Sequence, residues 1–334
     1  MTPVELSRTV LHAVRRAVDE GELRVTVPER AVVTPPGPGG CGDYATNIAL
    51  QLARPAGQPP LRVAEILRPH LVGAEGVADV VVTGPGFLNI SLSIDVDPVA
   101  GLVREVRERG PAYGHSEALA GQVVILRVPY DVRAEVVADA LVRIVATQGG
   151  RVEVEHGEPV NLRPVPAPED PAPLGPDAAQ WALLHPAPHD RPRITADHLV
   201  QREGNPLFRV RYAHARTRAL TRNAARLGFT AEPGDPGGAE SGATSGTGTA
   251  ALVTALADHP RILAAAATHR APDRLARHLV TVADAALPFL LTVLPRGEEK
   301  PSAAHRARLA LAEAAGTVLA GGLSLLGIDA PDHL

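Results

Sequence analysis

Residues Asn205 to Arg226 constrain this 334-residue chain more tightly than any other stretch. On a 3.6-residue period Val210, Ala213, Leu220, Ala224 and Leu227 share one face, while Arg211, Arg218, Arg222 and Arg226 gather opposite. Asn205-Pro206 supplies an N-cap and a first-turn proline, and Gly228 lets the chain leave the helix. Such a segment packs on one side only, so it belongs to a helical bundle and presents a ladder of guanidinium groups outward. On charge alone that ladder is an ordinary solvated face.

The formal net charge is −4 and the pI about 6.4, so no overall positive field draws the chain onto nucleic acid. Any RNA binding must be local. Lys300 is the only lysine among 33 basic residues, and arginine suits bidentate phosphate contacts. Cys41 is the single cysteine, which excludes an internal disulfide framework. The first twenty residues carry acids on a helical period, unlike a secretory signal, and no apolar run approaches membrane length. A cytoplasmic protein without membrane contact is expected.

In the N-terminal region Val4, Val10, Leu11, Val14, Ala17 and Val18 recur at helical spacing, with Gly21 at the end. Leu23–Val27 alternates like a short strand, and 34–40 is a Pro/Gly loop. Gly42-Asp43-Tyr44-Ala45-Thr46-Asn47 reads as a turn feeding a helix, where Asp43 and Asn47 cap and brace. A helix over 60–71 precedes strands over 77–83 and 87–94, joined by Gly84-Pro85-Gly86. Alternation puts Leu88, Ile90 and Leu92 on one face, and Phe87, Asn89 and Ser91 on the other. An aromatic beside an amide on a sheet surface can stack a splayed base and bond its edge, unless a neighbouring helix covers it.

Strand 122–128, helix 133–147 and strand 151–155 form one βαβ-like unit. A Pro-rich run over 159–176 lacks periodicity and reads as a linker. His156, His185 and His189 match no compact metal spacing, and no nucleophile triad, carboxylate pair or phosphate-cradling glycine loop appears. Neither metal nor cofactor is expected. Residues 232–249 read as a flexible Gly/Ser/Thr/Pro stretch; helices over 250–258, 260–268, 272–294 and 302–319 complete an all-α bundle.

Several ordered strings resemble the arginyl-tRNA synthetase family. Asn-Pro-x-Phe-x-Val-x-Tyr-Ala-His-Ala-Arg from Asn205 is similar to the helix opening its DALR anticodon-binding domain. Gly42–Asn47 and Gly84–Ile90 resemble its N-terminal domain, and the ending from Leu325 resembles its C-terminus, with Leu334 where the family has methionine. The resemblance implies anticodon-side tRNA contacts at Tyr212, His214 and Arg216 on the helix of Arg211, Arg218 and Arg222, with Leu334 approaching the anticodon. It implies a D-loop contact at Phe87 and Asn89, and a motif role for Asp43, Tyr44 and Asn47.

Val132–Arg143 is similar to the family helix after the His-x-Gly-His signature, but Val128-Pro129-Tyr130-Asp131 stands in the signature's place. No Lys-Met-Ser-Lys-Ser type loop is present in the sequence. The implied architecture is an α+β N-terminal domain over 1–113, a βαβ (Rossmann-like) remnant of the catalytic domain with its linker over 114–200, and an all-α anticodon-binding bundle over 201–334. The implied function is a non-catalytic, tRNA-binding paralogue, with an arginine-type tRNA as partner. The alternatives are a protein-interaction scaffold that has lost tRNA binding, or a split arginine-tRNA ligase completed by a partner chain.

Overall fold

The computed structural model describes residues 2–37, 40–74, 76–92, 98–237 and 242–334, with 242–247 described as backbone. The chain separates into two compact units, 1–102 and 103–334, so the expected middle segment is not a body apart from the bundle.

In the first unit α1 (Pro3–Asp19) is opened by a capping box between Thr2 and Glu5. There follow β1 (Val33–Thr34), β2 (Tyr44–Thr46), α2 (Ile48–Ala56), α3 (Pro60–Val72), β3 (Val77–Thr83) and β4 (Phe87–Leu92). The strands form one antiparallel sheet in the order β1-β2-β4-β3. Leu6, Val10 and Val14 of α1, Leu67 and Leu71 of α3, and Val80, Leu88 and Ile90 of the sheet fill its core. Gly86 adopts φ +135°, and a Cβ there would run into Pro60, so the turn between β3 and β4 requires glycine. The strand expected over 23–27 does not form. The N–H groups of Glu22 and Leu23 both reach back to the Ala17 carbonyl, and Leu23 plugs the core from a turn. Residues 38–39 of the expected loop and 93–94 of the expected strand lie outside the described residues.

Helix α4 (Pro98–Arg109) leads into the second unit, where β5 (Val123–Val128), α5 (Val132–Ala146) and β6 (Arg151–His156) make the expected βαβ unit with a parallel strand pair. Helices α6 (Pro176–Leu184), α7 (Pro206–Arg226), α8 (Gly242–Thr268), α9 (Pro272–Phe289) and α10 (Ala303–Leu325) follow. Helix α5 packs against α6 and against α8, α9 and α10, which fuses the βαβ unit with the bundle.

Three expectations for this unit are corrected. The Pro-rich run is not a loose linker: Leu162 and Leu174 are buried, and the Val165 N–H donates to the Pro188 carbonyl at 2.8 Å. The flexible stretch stops earlier than expected, because α8 begins at Gly242; within it, residues 238–241 lie outside the described residues. The helices expected on either side of Pro260 are one helix. Proline cannot donate to the Leu256 carbonyl, and the Tyr113 hydroxyl takes that place at 3.1 Å. The expectation that no apolar run approaches membrane length is corrected as well: 272–292 is long and apolar enough to cross a membrane by length and composition, and half of its apolar window is buried within the protein, as in a bundle core helix.

Candidate tRNA interface

Helix α7 is built as its sequence dictates. The Asn205 carboxamide oxygen accepts the Leu207 and Phe208 N–H groups, and its amide donates to the His198 and Val200 carbonyls, anchoring the entering chain. Leu207, Val210, Ala213, Leu220 and Ala224 are buried, whereas Leu227, at the C-cap, is exposed and leaves the packing face. Gly316 of α10 lies against Thr217, and a side chain there would collide with its hydroxyl.

The outer face is less open than a solvated ladder. Arg211 pairs with Asp177 at the start of α6, at 3.2 Å. Arg218 donates from Nε and Nη2 to the two carboxylate oxygens of Asp332, at 3.0 and 3.4 Å. That hydrogen bond holds the Asp332 carboxyl below its ordinary pKa. Arg222 Nη2 reaches the Asp332 carbonyl at 3.4 Å and His333 Nδ1 at 3.3 Å. Arg216 is half-buried, and no ion pair engages it among the described residues. Tyr212 is exposed and stacks on Phe208, their ring centroids 5.4 Å apart.

His214 is not available as an open contact. It is buried, its Nδ1 donates to the Pro331 carbonyl at 3.2 Å, and burial lowers its pKa so that the neutral ring is favoured. Leu334 is exposed and lines a cleft of about 250 Å³ with Asp177, Leu199, Phe208 and Arg211. The chain end therefore lies along α7, with Asp177 and Asp332 as acidic partners that no periodicity indicates. Residues 218 and 332 are 114 positions apart.

In the first unit, Phe87 is 40% exposed but Asn89 only 2%. The Asn89 amide donates to the Thr83 hydroxyl and toward the Val81 carbonyl, and Gly40 lies over its Oδ1. Strand alternation places the two residues on one side of the sheet, but the loop before β2 covers the second. Asn89 is thus a buried brace rather than an open base-reading amide. Asp43 does brace its turn: its Oδ2 accepts the Leu92 N–H at 2.9 Å. Tyr44 pairs with Ile90, and burial, helped by Asp43, raises its pKa. Asn47 occupies the N-cap of α2 but makes no side-chain cap bond, accepting from the Gln51 amide instead.

The turn between β5 and α5 holds Pro129-Tyr130-Asp131. Asp131 Oδ1 accepts the Ala134 N–H at 3.0 Å, putting a carboxylate on the helix N-terminus where an anion would otherwise bind. Tyr130 is 89% exposed and stacks on His156, whose Nε2 meets Glu135. Just inside α5, the buried Arg133 donates five hydrogen bonds to the carbonyls of Leu183, Val165, Asp190, Pro186 and Ala187. The sequence carries no signal for this role beyond an arginine inside an apolar helix. Among the described residues one group of metal-type donors converges, Glu20, Glu22 and His70; His70 Nε2 is engaged by Glu22 at 2.8 Å.

Comparison with known proteins identifies the two ends of the chain. Residues 5–92 match the arginyl tRNA synthetase N terminal domain, and 210–334 match the DALR anticodon binding domain. The arginine–tRNA ligase of Renibacterium salmoninarum is 47% identical over 127 residues, covering 37% of this chain and 23% of that protein. Those of Paenarthrobacter aurescens and Frankia alni are each 38% identical, over 169 and 166 residues, covering 47% of this chain and 30% of theirs. The chain thus spans under a third of the length of these relatives. The Thermus thermophilus arginyl-tRNA synthetase structure superposes with a TM-score of 0.60 at 15% identity, covering 100% of both chains. The Plasmodium falciparum enzyme gives 0.58 at 8%, covering 99% of each. The match over 210–334 puts the second part of the chain in the class of DALR anticodon binding domains. Within that class the chain is arginyl-tRNA synthetase-like, with that family's N-terminal and anticodon-binding domains.

Proposed function

We propose that this is a cytoplasmic, non-catalytic arginyl-tRNA synthetase-like protein that binds tRNA through the outer face of α7, with Phe87 as a second, stacking contact on the D-loop side. The observation that carries the reading is the α7 face, where Tyr212 and Arg218 are exposed and Arg216 and Arg222 half-buried on a helix capped by Asn205. An arginine-type tRNA is the natural ligand given the relatives' names. Loss of catalysis is supported by the β5–α5 turn: Pro129 offers no N–H, and Asp131 sets negative charge on the helix terminus against phosphate.

The test is a titration with total tRNA at several salt concentrations. Binding through phosphates falls with salt, and Arg216, Arg218 and Arg222 changed together to alanine should weaken it and flatten that dependence by about 0.7–0.9 per lost phosphate contact. A triple variant that binds as the parent does would overturn the reading. Arginine-dependent ATP–pyrophosphate exchange should stay at the no-enzyme level; exchange above it would overturn the non-catalytic part.

A second reading, an interaction scaffold without RNA, is favoured by the acidic partners already on Arg211 and Arg218. It predicts no tRNA binding even at low salt.

A further inference from the structure

The parallel pair β5–β6 has one edge covered and the other open. Asn161 does the covering along β5: its side-chain oxygen accepts the Arg127 N–H, its side-chain amide donates to the Ile125 carbonyl, and its backbone N–H donates to the Arg127 carbonyl. Strand β6 is the other border of the sheet. The Arg151 N–H donates to the Gln122 carbonyl, so alternation turns the backbone groups of Arg151, Glu153 and Glu155 toward β5. Those of Val152, Val154 and His156 face outward, and no hydrogen bond among the described residues engages them. A row of free N–H and C=O groups is a template for another strand.

Charge decides which strand can take that place. His156 meets Glu135 of α5, so Val152, Val154 and His156 lie on the α5 side, and Arg151, Glu153 and Glu155 share the opposite face. A row of one sign would repel a newcomer, the usual protection of an edge. Here both signs occur, in an order that complements itself when the strand is reversed. Let Glu153 stand opposite its own copy on a twofold axis. Val152 then meets Val154 of the second copy on each side of the axis, each pair exchanging both backbone bonds, and Arg151 faces Glu155 of the second copy on each side. Each Arg151 lies between its own Glu153, which it already contacts, and the Glu155 opposite. Moving the axis to Val154 would set Glu153 against Glu155 on both sides, like charge on like. Val142 lies two turns beyond Glu135 on the same face of α5 and is 39% exposed, which gives the open edge an apolar flank.

We infer that β6 is a dimerisation edge: two copies of this chain join antiparallel through Val152–Val154, making one continuous sheet in the order β5-β6-β6-β5, with Arg151 of each against Glu155 of the other. This pairing stands independently of the tRNA-binding reading.

The experiment is sedimentation equilibrium of the full chain over a concentration series at low salt. The parent should pass from 34.9 kDa toward twice that mass as concentration rises. In Val154→Pro the lost N–H points away from β5, so circular dichroism should hold while dimerisation is lost. Arg151→Glu and Glu155→Arg keep every backbone bond but set like charges opposite one another; alone, each should raise the dissociation constant roughly tenfold. Mixed in equal amounts the two variants should regain the parent's affinity, because unlike chains again present opposite charges. A parent of monomeric mass throughout, a folded Val154→Pro that dimerises as the parent does, or a mixture no tighter than its components would each overturn the proposal. Glu155→Arg dimerising alone as well as the parent would overturn it too, since the partner of Arg151 would then be another residue.

Discussion

Phe87 and Asn89 sit two positions apart on one strand, and their different burial separates what each substitution should do. Phe87→Ala removes an exposed ring, so the melting temperature should hold, well short of the roughly 3–5 kcal/mol that a buried phenylalanine costs on truncation. If a base stacks there, tRNA affinity should drop by about 1–3 kcal/mol. Asn89→Ala should do the reverse, lowering stability by about 1–3 kcal/mol through loss of the buried bond to Thr83. Paired melting and tRNA titration of the two variants checks this, and a Phe87→Ala melt that collapses would return the ring to the core. Alternation along β4 is legible in the sequence because pleating has a fixed period of two. The cover over Asn89 is not, since it comes from the loop carrying Gly40, whose path no local pattern sets.

Helices show the same division between local and distant causes. The register of α7 follows from its period and caps, and only Leu227 departs, because it lies beyond the last helical residue. What covers the arginines came from Asp177 and from the chain end, contacts made across the sequence that periodicity cannot carry. Helix α8 extends through 242–249 against the poor propensity of glycine, serine and threonine, since adding turns to an existing helix costs far less than starting one.

Its Pro260 is tolerated through Tyr113, so Tyr113→Phe should orphan the Leu256 carbonyl and lower stability by about 1–3 kcal/mol in urea unfolding, with no such loss arguing against that role. Beside it, Tyr113, His259 and His278 stack in series, with His259 Nδ1 and His278 Nε2 lacking hydrogen-bond partners. Burial, aided by His278 and His115, pushes the His259 pKa down to about 3; burial also takes His278 to about 4, with Asp258 opposing and Arg261 adding to the shift. Above the ordinary histidine pKa of about 6.5 both rings are neutral folded or unfolded, and neither penalises the fold. As pH falls through 6.5, the unfolded chain gains protons that the fold refuses, so stability should decline until the folded pKa values are reached. The limiting slope is about 1.4 kcal/mol per pH unit for each ring. Urea unfolding between pH 7 and 4.5 measures it, and His259→Phe should flatten the dependence while keeping the ring stack; an unchanged slope would show that the ring is not held neutral.

At the scale of the whole molecule, two compact units are expected to unfold separately, and Arg133 offers a way to move one alone. Its guanidinium is the common donor for five carbonyls spread over the segment between β6 and α7, which is why a proline-rich stretch without periodicity is ordered. Arg133→Met keeps the length and apolar stem but leaves those carbonyls without their shared donor, and unpartnered buried polar groups cost about 1–3 kcal/mol each before relaxation. A total loss of about 3–5 kcal/mol is expected, the range found when one member of a buried charged network is removed. Trp181, the only tryptophan in the sequence, is buried in α6 and stacks on His185, so its fluorescence reports the second unit alone. In urea, the Trp181 transition of the variant should move to lower denaturant, while the part of the far-ultraviolet circular dichroism change that belongs to the first unit keeps its midpoint. A fluorescence midpoint equal to the parent's would mean that water or rearranged chain replaces Arg133 at no cost. Equal displacement of every signal would mean that the two units unfold as one.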